Sequence, residues 1–371
     1  MNKNKNITVI TYGYPNASSP TASPFVKELV EQWKRMGVNV SVINPLFGKA
    51  YRICRDKVVD GVFHPKYLEY QVLKVIPLLR PLQKRLRNKS FQRAIERVLP
   101  KNTDILYAHF LNAGYAAAKI SEKYGYPAFC AYGESSLWSI KDMNIHEVQM
   151  TMENIKGFVS VSTDNKRELV EAGIAKAENV TVFPNGVDHM LFYQHDKQKC
   201  REELGFPQDE VIGIFVGSLI DRKGPLRVNE ATRGIENLKM IYIGSGEQVP
   251  QNDNILHCGR VLHDDIPRYL SAADFFILPT LAEGCCNAII EAMACGLPII
   301  SSKGEFNDDI LDDSYSIRVD PKNIEEIHAG IKILCDDFQR REEMSKAASL
   351  YAQEFSIQKR ATKLLKYVGV E

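Results

Sequence analysis

The chain has 371 residues, and at roughly 150 residues per domain this sets an expectation of two domains, with three as an upper bound. With 44% hydrophobic and 25% charged residues it carries enough apolar mass for sizeable cores, which excludes disordered and fibrous classes. Lys plus Arg at 47 against Asp plus Glu at 46 gives a formal charge of +1, so a surface built throughout for nucleic acid is excluded and any attraction for polyanions is local.

The only apolar run near the amino terminus, residues 7–10, is far shorter than a signal-peptide core, and no stretch approaches the ~18 to 20 apolar residues of a spanning helix. Cysteines at 54, 130, 200, 258, 285, 286, 295 and 335 form no C-x-x-C pair, so reduced cytosolic thiols are the expectation. Short Val- and Ile-rich runs alternate with helical periodicity, the signature of βαβ units around parallel sheets. The first set of strands is expected at 7–11, 38–44, 104–110, 128–132, 157–162 and 179–183. A second set starts afresh at 211–219, 238–243, 255–258, 275–279, 298–302 and 316–319. Pro184-Asn185-Gly186-Val187-Asp188 between them is turn chemistry, and the domains are placed at 1–188 and 189–371. The segment from about 340 to 370 is helical without strands, and its last helix, about 356–371, is a candidate to cross back to the first domain.

In open parallel sheets ligands bind beyond the carboxyl ends of strands, which directs attention to the strand-to-helix junctions. After the 211–216 run, Gly217-Ser218-Leu219-Ile220-Asp221-Arg222-Lys223-Gly224-Pro225 places two glycines around a basic pair before a Pro-led helix. Such a segment suits either a diphosphate clamp or a capped surface helix. Gly244-Ser245-Gly246 ends the next strand, and Val249 stands where a dinucleotide fingerprint needs its third glycine, which disfavours a dehydrogenase. The densest segment runs from Phe275 to Pro298, with Glu283 ahead of Gly284-Cys285-Cys286-Asn287 and Glu291 following. If helical throughout, the rise of ~1.5 Å per residue sets Glu283 and Glu291 about 12 Å apart, a separation for the two ends of one nucleotide-linked ligand.

These residues resemble the retaining glycosyltransferases of family 4, the group 1 glycosyltransferases. The resemblance rests on Glu283-x7-Glu291 within the Glu-Ala-Met-Ala-Cys-Gly-x-Pro context, with Asn185-Gly186-Val187-Asp188, Gly217 through Lys223-Gly224 and Gly244-x-Gly246 in family order. Ala108-His109-Phe110 carries it in the first half. It implies an α/β GT-B fold, two Rossmann-like parallel-sheet domains facing a cleft, the first binding acceptor and the second nucleotide sugar. It also implies that Lys223, with Arg222, neutralises the leaving diphosphate, that Glu291 holds the ribose and that Glu283 contacts the donor sugar. Ser218, Gly244, Arg260, Val261, Gly284, Cys285, Cys286 and Asn287 complete the donor-side expectation. His109 joins Glu283 and Lys223 as a catalytic candidate.

Three departures stand out. Ser218 replaces an Arg common in the family; residues 14–20 form a longer, polar loop; and Tyr132-Gly133-Glu134 stands where many members have His-Gly. Tyr132, Glu134 and Ser19 are the acceptor-side candidates. No D-x-D occurs, so no metal and no cofactor is expected, the nucleotide sugar being a substrate. Between Lys66 and Arg97, nine cations against Glu69 and Glu96 leave +7, interleaved with Leu73, Ile76, Leu78, Leu79, Leu82 and Leu86. That pattern fits a face for anionic membrane or a solvated helix face.

The expected function is metal-independent transfer of a sugar, from UDP by family prevalence, to a glycan or lipid-linked acceptor in cell-surface polysaccharide or glycoconjugate synthesis. The alternatives are a non-catalytic glycan-binding partner of a transferase and a GT-B sugar-nucleotide epimerase. The expected location is cytoplasmic, with peripheral attachment to the inner face of the plasma membrane through 66–97; no nucleic-acid partner is expected.

Overall fold

The computed structural model describes residues 5–20, 22–54, 61–69, 77–141 and 143–370. Leu73, Lys74 and Ile76 of the basic segment lie outside the described residues, as does the Arg80 side chain. The chain divides into two compact units, Met1–Phe183 with Arg360–Glu371, and Pro184–Lys359.

Unit 1 is built on β1 (Asn6–Thr11), β2 (Asn39–Ile43), β3 (Val62–Phe63), β4 (Ile105–His109), β5 (Ala128–Tyr132), β6 (Gly157–Ser160) and β7 (Val180–Val182). They form one parallel sheet in the order β3-β2-β1-β4-β5-β6-β7. Helices cover both faces, so β1, β4 and β5 are almost wholly buried, and β4 and β5 read as nearly continuous apolar runs while β1 buries Thr8 and Thr11 among its Ile and Val. The order reverses between β1 and β4, where Thr11 is opposite His109. Trp33, fully buried on the helix Pro24–Arg35, packs edge-on against Tyr107 at 5.2 Å. Its indole N–H donates to the Ala361 carbonyl at 3.2 Å, and the Tyr367 hydroxyl donates to the Phe158 and Asn179 carbonyls at 3.2 and 3.0 Å. These bonds tie the carboxyl-terminal residues from Arg360 onward into unit 1.

Unit 2 carries β8 (Val211–Val216), β9 (Leu238–Ile243), β10 (Ile255–Gly259), β11 (Phe275–Leu278), β12 (Ile299–Ser302) and β13 (Ser316–Val319). The parallel order is β10-β9-β8-β11-β12-β13, reversing between β8 and β11. The Asp274 carboxylate, just ahead of β11, accepts from Arg201 at 2.6 Å, Lys197 at 2.8 Å and the Ile212 amide at 2.7 Å. Burial works to raise its pKa, but the two cations and the amide overcome that and hold it below the ordinary carboxylate range. The turn 184–188 packs within unit 2, because Val187 N–H donates to the Phe355 carbonyl at 2.7 Å and Ile357 N–H to the Val187 carbonyl at 2.9 Å.

Candidate functional site

In unit 2 the chain leaves β8 through Gly217-Ser218-Leu219, makes a 3₁₀ turn at Asp221–Lys223 and enters the helix Pro225–Ala231. Gly224 has φ +80°, a left-handed conformation that lets the basic pair turn directly into the Pro-led helix. From the other side of the reversal point, the loop after β11 docks onto this turn. Leu281 N–H donates to the Arg222 carbonyl at 2.8 Å, and the buried Thr280 hydroxyl lies 3.2 Å from the same oxygen.

Glu283 is the hub of this contact. Its Oε1 accepts from Arg222 Nη1 at 2.8 Å and Thr280 Oγ1 at 2.9 Å, and it forms an ion pair with Lys223 Nζ. The Glu283 and Lys223 side chains are only 11% and 13% exposed, whereas Arg222 at 37% keeps contact with water. A carboxylate and a cation from the loops after β8 and β11 are thus held together at the switch point of the sheet.

The helix that follows is Asn287–Ala294, with Cys286 as its N-cap. It starts later than the Gly284-led helix expected from sequence, so the figure of about 12 Å from helical rise does not apply to Glu283, which sits in the extended loop. Glu291 lies one turn into the helix, partly buried. Asn287 at its first position accepts from Asn185 Nδ2 at 2.7 Å. The Cys286 thiol is buried, and desolvation, opposed by Lys223 and reinforced by Glu283, pushes it up to about 11, so it is no nucleophile at neutral pH.

Gly244 and Gly246 act in packing. A Cβ at Gly244 would stand 1.9 Å from the Gly217 carbonyl oxygen, and one at Gly246 would stand 2.1 Å from that of Leu219. The β9 loop can lie against the β8 loop only because both lack side chains. Ser245 Oγ accepts from Arg260 Nε at 2.8 Å, which places Arg260, exposed at the end of β10, beside the same loop. Val261 is partly buried next to it and packs on the unit 2 core. Sequence reasoning passed over Thr280 and Asn185 as site residues. A threonine three residues before Glu283, within one turn of loop, was the signal for the first.

Three of the unit 1 candidates, His109, Tyr132 and Glu134, are buried. His109 ends β4 at 4% exposure, ringed by Tyr107 at 5.2 Å, Phe25 at 6.3 Å and Phe110 at 6.4 Å, and its Nε2 has no hydrogen-bond partner. Burial, aided by the charge of Arg360, pushes it down to about 3, so the ring is neutral at physiological pH. The next residue, Phe110, has φ +75°, an uncommon backbone state for a side chain of its size. Tyr132 is fully buried and donates its hydroxyl to the Glu168 carboxylate. Glu134 is buried too, accepting from the Leu111 amide at 3.0 Å and from the Ser139 hydroxyl at 2.8 Å. Desolvation, only partly offset by these bonds, raises its carboxyl above the ordinary range. It fastens the β5 loop to the helix Leu111–Tyr124. Ser19 is exposed in a turn whose Asn16 side chain accepts from the Ser18 and Ser19 amides at 2.9 and 3.1 Å.

The basic segment separates into two groups. The helix Arg80–Val98 buries Phe91, Ala94 and Ile95, while Lys66, Arg85, Lys89, Arg93 and Arg97 are exposed. Lys84 and Arg87 are partly buried and line a cavity inside unit 1. Leu78 at 87% exposure and Leu82 at 46% stand uncovered at the helix start.

Two parallel-sheet α/β units, with charged side chains converging where the second sheet reverses, define the GT-B class of fold. Solved structures agree: a sucrose-phosphate synthase from Thermosynechococcus elongatus aligns with TM-score 0.79 at 18% identity, over 98% of each chain. Anabaena Alr3699/HepE in complex with UDP aligns with TM-score 0.75 at 15% identity, over 99% of this chain and 100% of that one. Residues 22–190 match the family model Glycosyltransferase Family 4, and residues 196–351 match Glycosyl transferases group 1. The two models together span most of the sequence, so over most of its length the chain is similar to these two glycosyltransferase families.

Among sequence relatives, TuaC of Bacillus subtilis (strain 168), a glycosyltransferase whose name assigns it to teichuronic acid biosynthesis, is 26% identical over 319 residues, 78% of this chain and 79% of that protein. A D-inositol 3-phosphate glycosyltransferase of Paenarthrobacter aurescens (strain TC1) is 24% identical over 289 residues, 70% of each.

Proposed function

We propose that the protein transfers a sugar, with retention of configuration and without a metal, from a nucleoside diphosphate sugar to a glycan or lipid-linked acceptor. The observation that carries this reading is the meeting of Arg222 and Lys223, after β8, with Glu283, after β11, at the switch point of unit 2. The bond from the sugar's anomeric carbon to the diphosphate breaks with its electron pair leaving on phosphate, and negative charge grows beside Lys223 and Arg222. The acceptor oxygen bonds to the same face of that carbon, and its proton passes to a phosphate oxygen of the leaving group. Glu291, on the helix, holds the ribose; Glu283 keeps Lys223 in place before binding and meets the sugar after it. Asn287 and the amides at the start of its helix face the diphosphate.

The UDP complex of the structural neighbour supports UDP as the first nucleotide to test, and the name of TuaC supports a cell-surface polysaccharide or glycoconjugate acceptor. A peripheral membrane position is a second element of the reading, favoured by the exposed cations of the helix Arg80–Val98 beside uncovered Leu78 and Leu82. Among the described residues, no helix is long and apolar enough to cross a membrane. The test is calorimetry with UDP, GDP and ADP sugars, then product analysis with the best donor. Turnover of a donor without acceptor into its epimer would favour the epimerase, and glycan binding with no donor binding would favour the non-catalytic partner.

A further inference from the structure

Unit 1 holds a cavity of about 860 Å³, a size that accommodates a small oligosaccharide. It opens at the carboxyl edge of the unit 1 sheet. Tyr12 directly follows β1, Asn112 lies in the first turn after β4, and Trp138 lies in the loop after β5. This is the reversal point of that sheet, where open parallel folds bind ligands.

Its walls have two chemistries. One is aromatic and rigid: Tyr12 stacks on Phe91 at 4.0 Å with 6° between planes, and Tyr67 stands edge-on to Phe91 at 5.4 Å. Trp138 sits on the same cavity at 56% exposure, presenting an indole that no core covers. The other wall is cationic. Lys84 and Arg87 lie three apart on the helix Arg80–Val98, so they share a face and both reach the cavity, where Glu69 is the one carboxylate among the described lining residues. Arg87 and Glu69 both act on the Tyr12 phenol, in opposite senses, which puts all three within electrostatic reach of one point. Gln83 and Asn112 add amide groups suited to hydroxyls.

We infer that this cavity binds a saccharide carrying an anionic group, carboxylate or phosphate, with the sugar on the Trp138 and Tyr12 faces and the anion on Lys84 and Arg87. That the occupant is the acceptor rests on the transferase reading above; the binding chemistry does not. Lys84 and Arg87 are then specificity residues for the acceptor, whereas Arg85, Lys89, Arg93 and Arg97 of the same helix are exposed.

The chain has two tryptophans, and Trp33 is buried in the core, so a ligand-dependent fluorescence change reports Trp138. Without donor, the protein is titrated with a hyaluronan tetrasaccharide against neutral chitotetraose, with glucose 6-phosphate against glucose, and with inorganic phosphate alone. The expected result is at least a tenfold preference for the charged member of one pair, the pair identifying the anion. Lys84→Ala/Arg87→Ala should erase the preference and Arg87→Lys should keep part of it, thermal unfolding serving as the check on folding. Equal binding of charged and neutral sugars, no binding of either, or a preference surviving in the double variant overturns the inference, and so does inorganic phosphate binding as tightly as the charged sugars. UDP binding is measured on the same samples: if it persists without the preference, this inference alone fails, and if the preference persists without UDP binding, the transferase reading fails.

Discussion

Replacing Glu283 by Gln removes the charge on which Arg222, Lys223 and Thr280 converge. The Glu283 and Lys223 side chains are almost buried, at 11% and 13% exposure, and breaking such a pair by removing one partner costs about 3 to 5 kcal/mol. Arg222 is 37% exposed and can turn to solvent, so its share falls within about 1 kcal/mol, and the lower part of the range, about 3 kcal/mol, is expected overall. At about 2 to 4 °C per kcal/mol for a unit of this size, the unit 2 transition should fall by roughly 6 to 12 °C. Lys223→Met should also destabilise, but the double variant should lose far less than the sum, with a coupling of at least about 1.5 kcal/mol. Saturating UDP should recover more of the transition in Glu283→Gln than it adds to the parent, because phosphate oxygens give Lys223 back a counter-charge. Turnover in the same variant should fall more than donor affinity if the carboxylate also orients the sugar. Additivity of the two single variants within about 0.5 kcal/mol would refute the coupled-pair reasoning.

Three further outcomes are expected. Donor binding and turnover should persist in EDTA, since Lys223, Arg222 and helix amides supply the positive charge; loss on chelation with recovery on Mg²⁺ or Mn²⁺ would count against the proposed mechanism. Exchanging the exposed Lys66, Lys89, Arg93 and Arg97 for Gln should release the protein from anionic liposomes, each cation being worth about 1 kcal/mol near such a surface, while UDP binding stays intact; equal liposome binding by variant and parent refutes it. His109 has its folded value near 3, below the ordinary 6.5, so its contribution to stability is whole above pH 6.5 and is lost as pH falls toward 3. His109→Phe should therefore flatten the acid unfolding of unit 1, followed by buried Trp33, whereas an unchanged acid profile would show that the imidazole is not the titrating group.

The sheets were legible because strands buried on both faces need Val and Ile on both, and that run is visible without knowing the partners. The exception is β3, whose two residues, Val62–Phe63, are too short to form a run. The start of the helix at Asn287 was hidden because Gly284 reads as a helix opener, while the loop is held extended by Thr280 and Arg222 gripping Glu283. That grip joins residues about sixty apart and exists only because β8 and β11 are neighbours in the sheet. Between 66 and 97 the charge count was legible, but its division was not. Lys84 and Arg87 are separated from Lys89 and Arg93 by helix phase, and only the packing of Phe91 and Ile95 fixes which side faces inward.

In the proposed reading Glu291 and the Lys223 turn form a nucleoside diphosphate site in unit 2. It is tested most directly by titrating UDP, GDP and ADP calorimetrically into the parent and Glu291→Ala. One of these nucleotides should bind the parent and lose roughly tenfold or more in affinity in the variant, as befits a hydrogen bond to a charged group worth about 1.5 to 3 kcal/mol. Absence of binding by all three, or equal affinity in parent and variant, would contradict it.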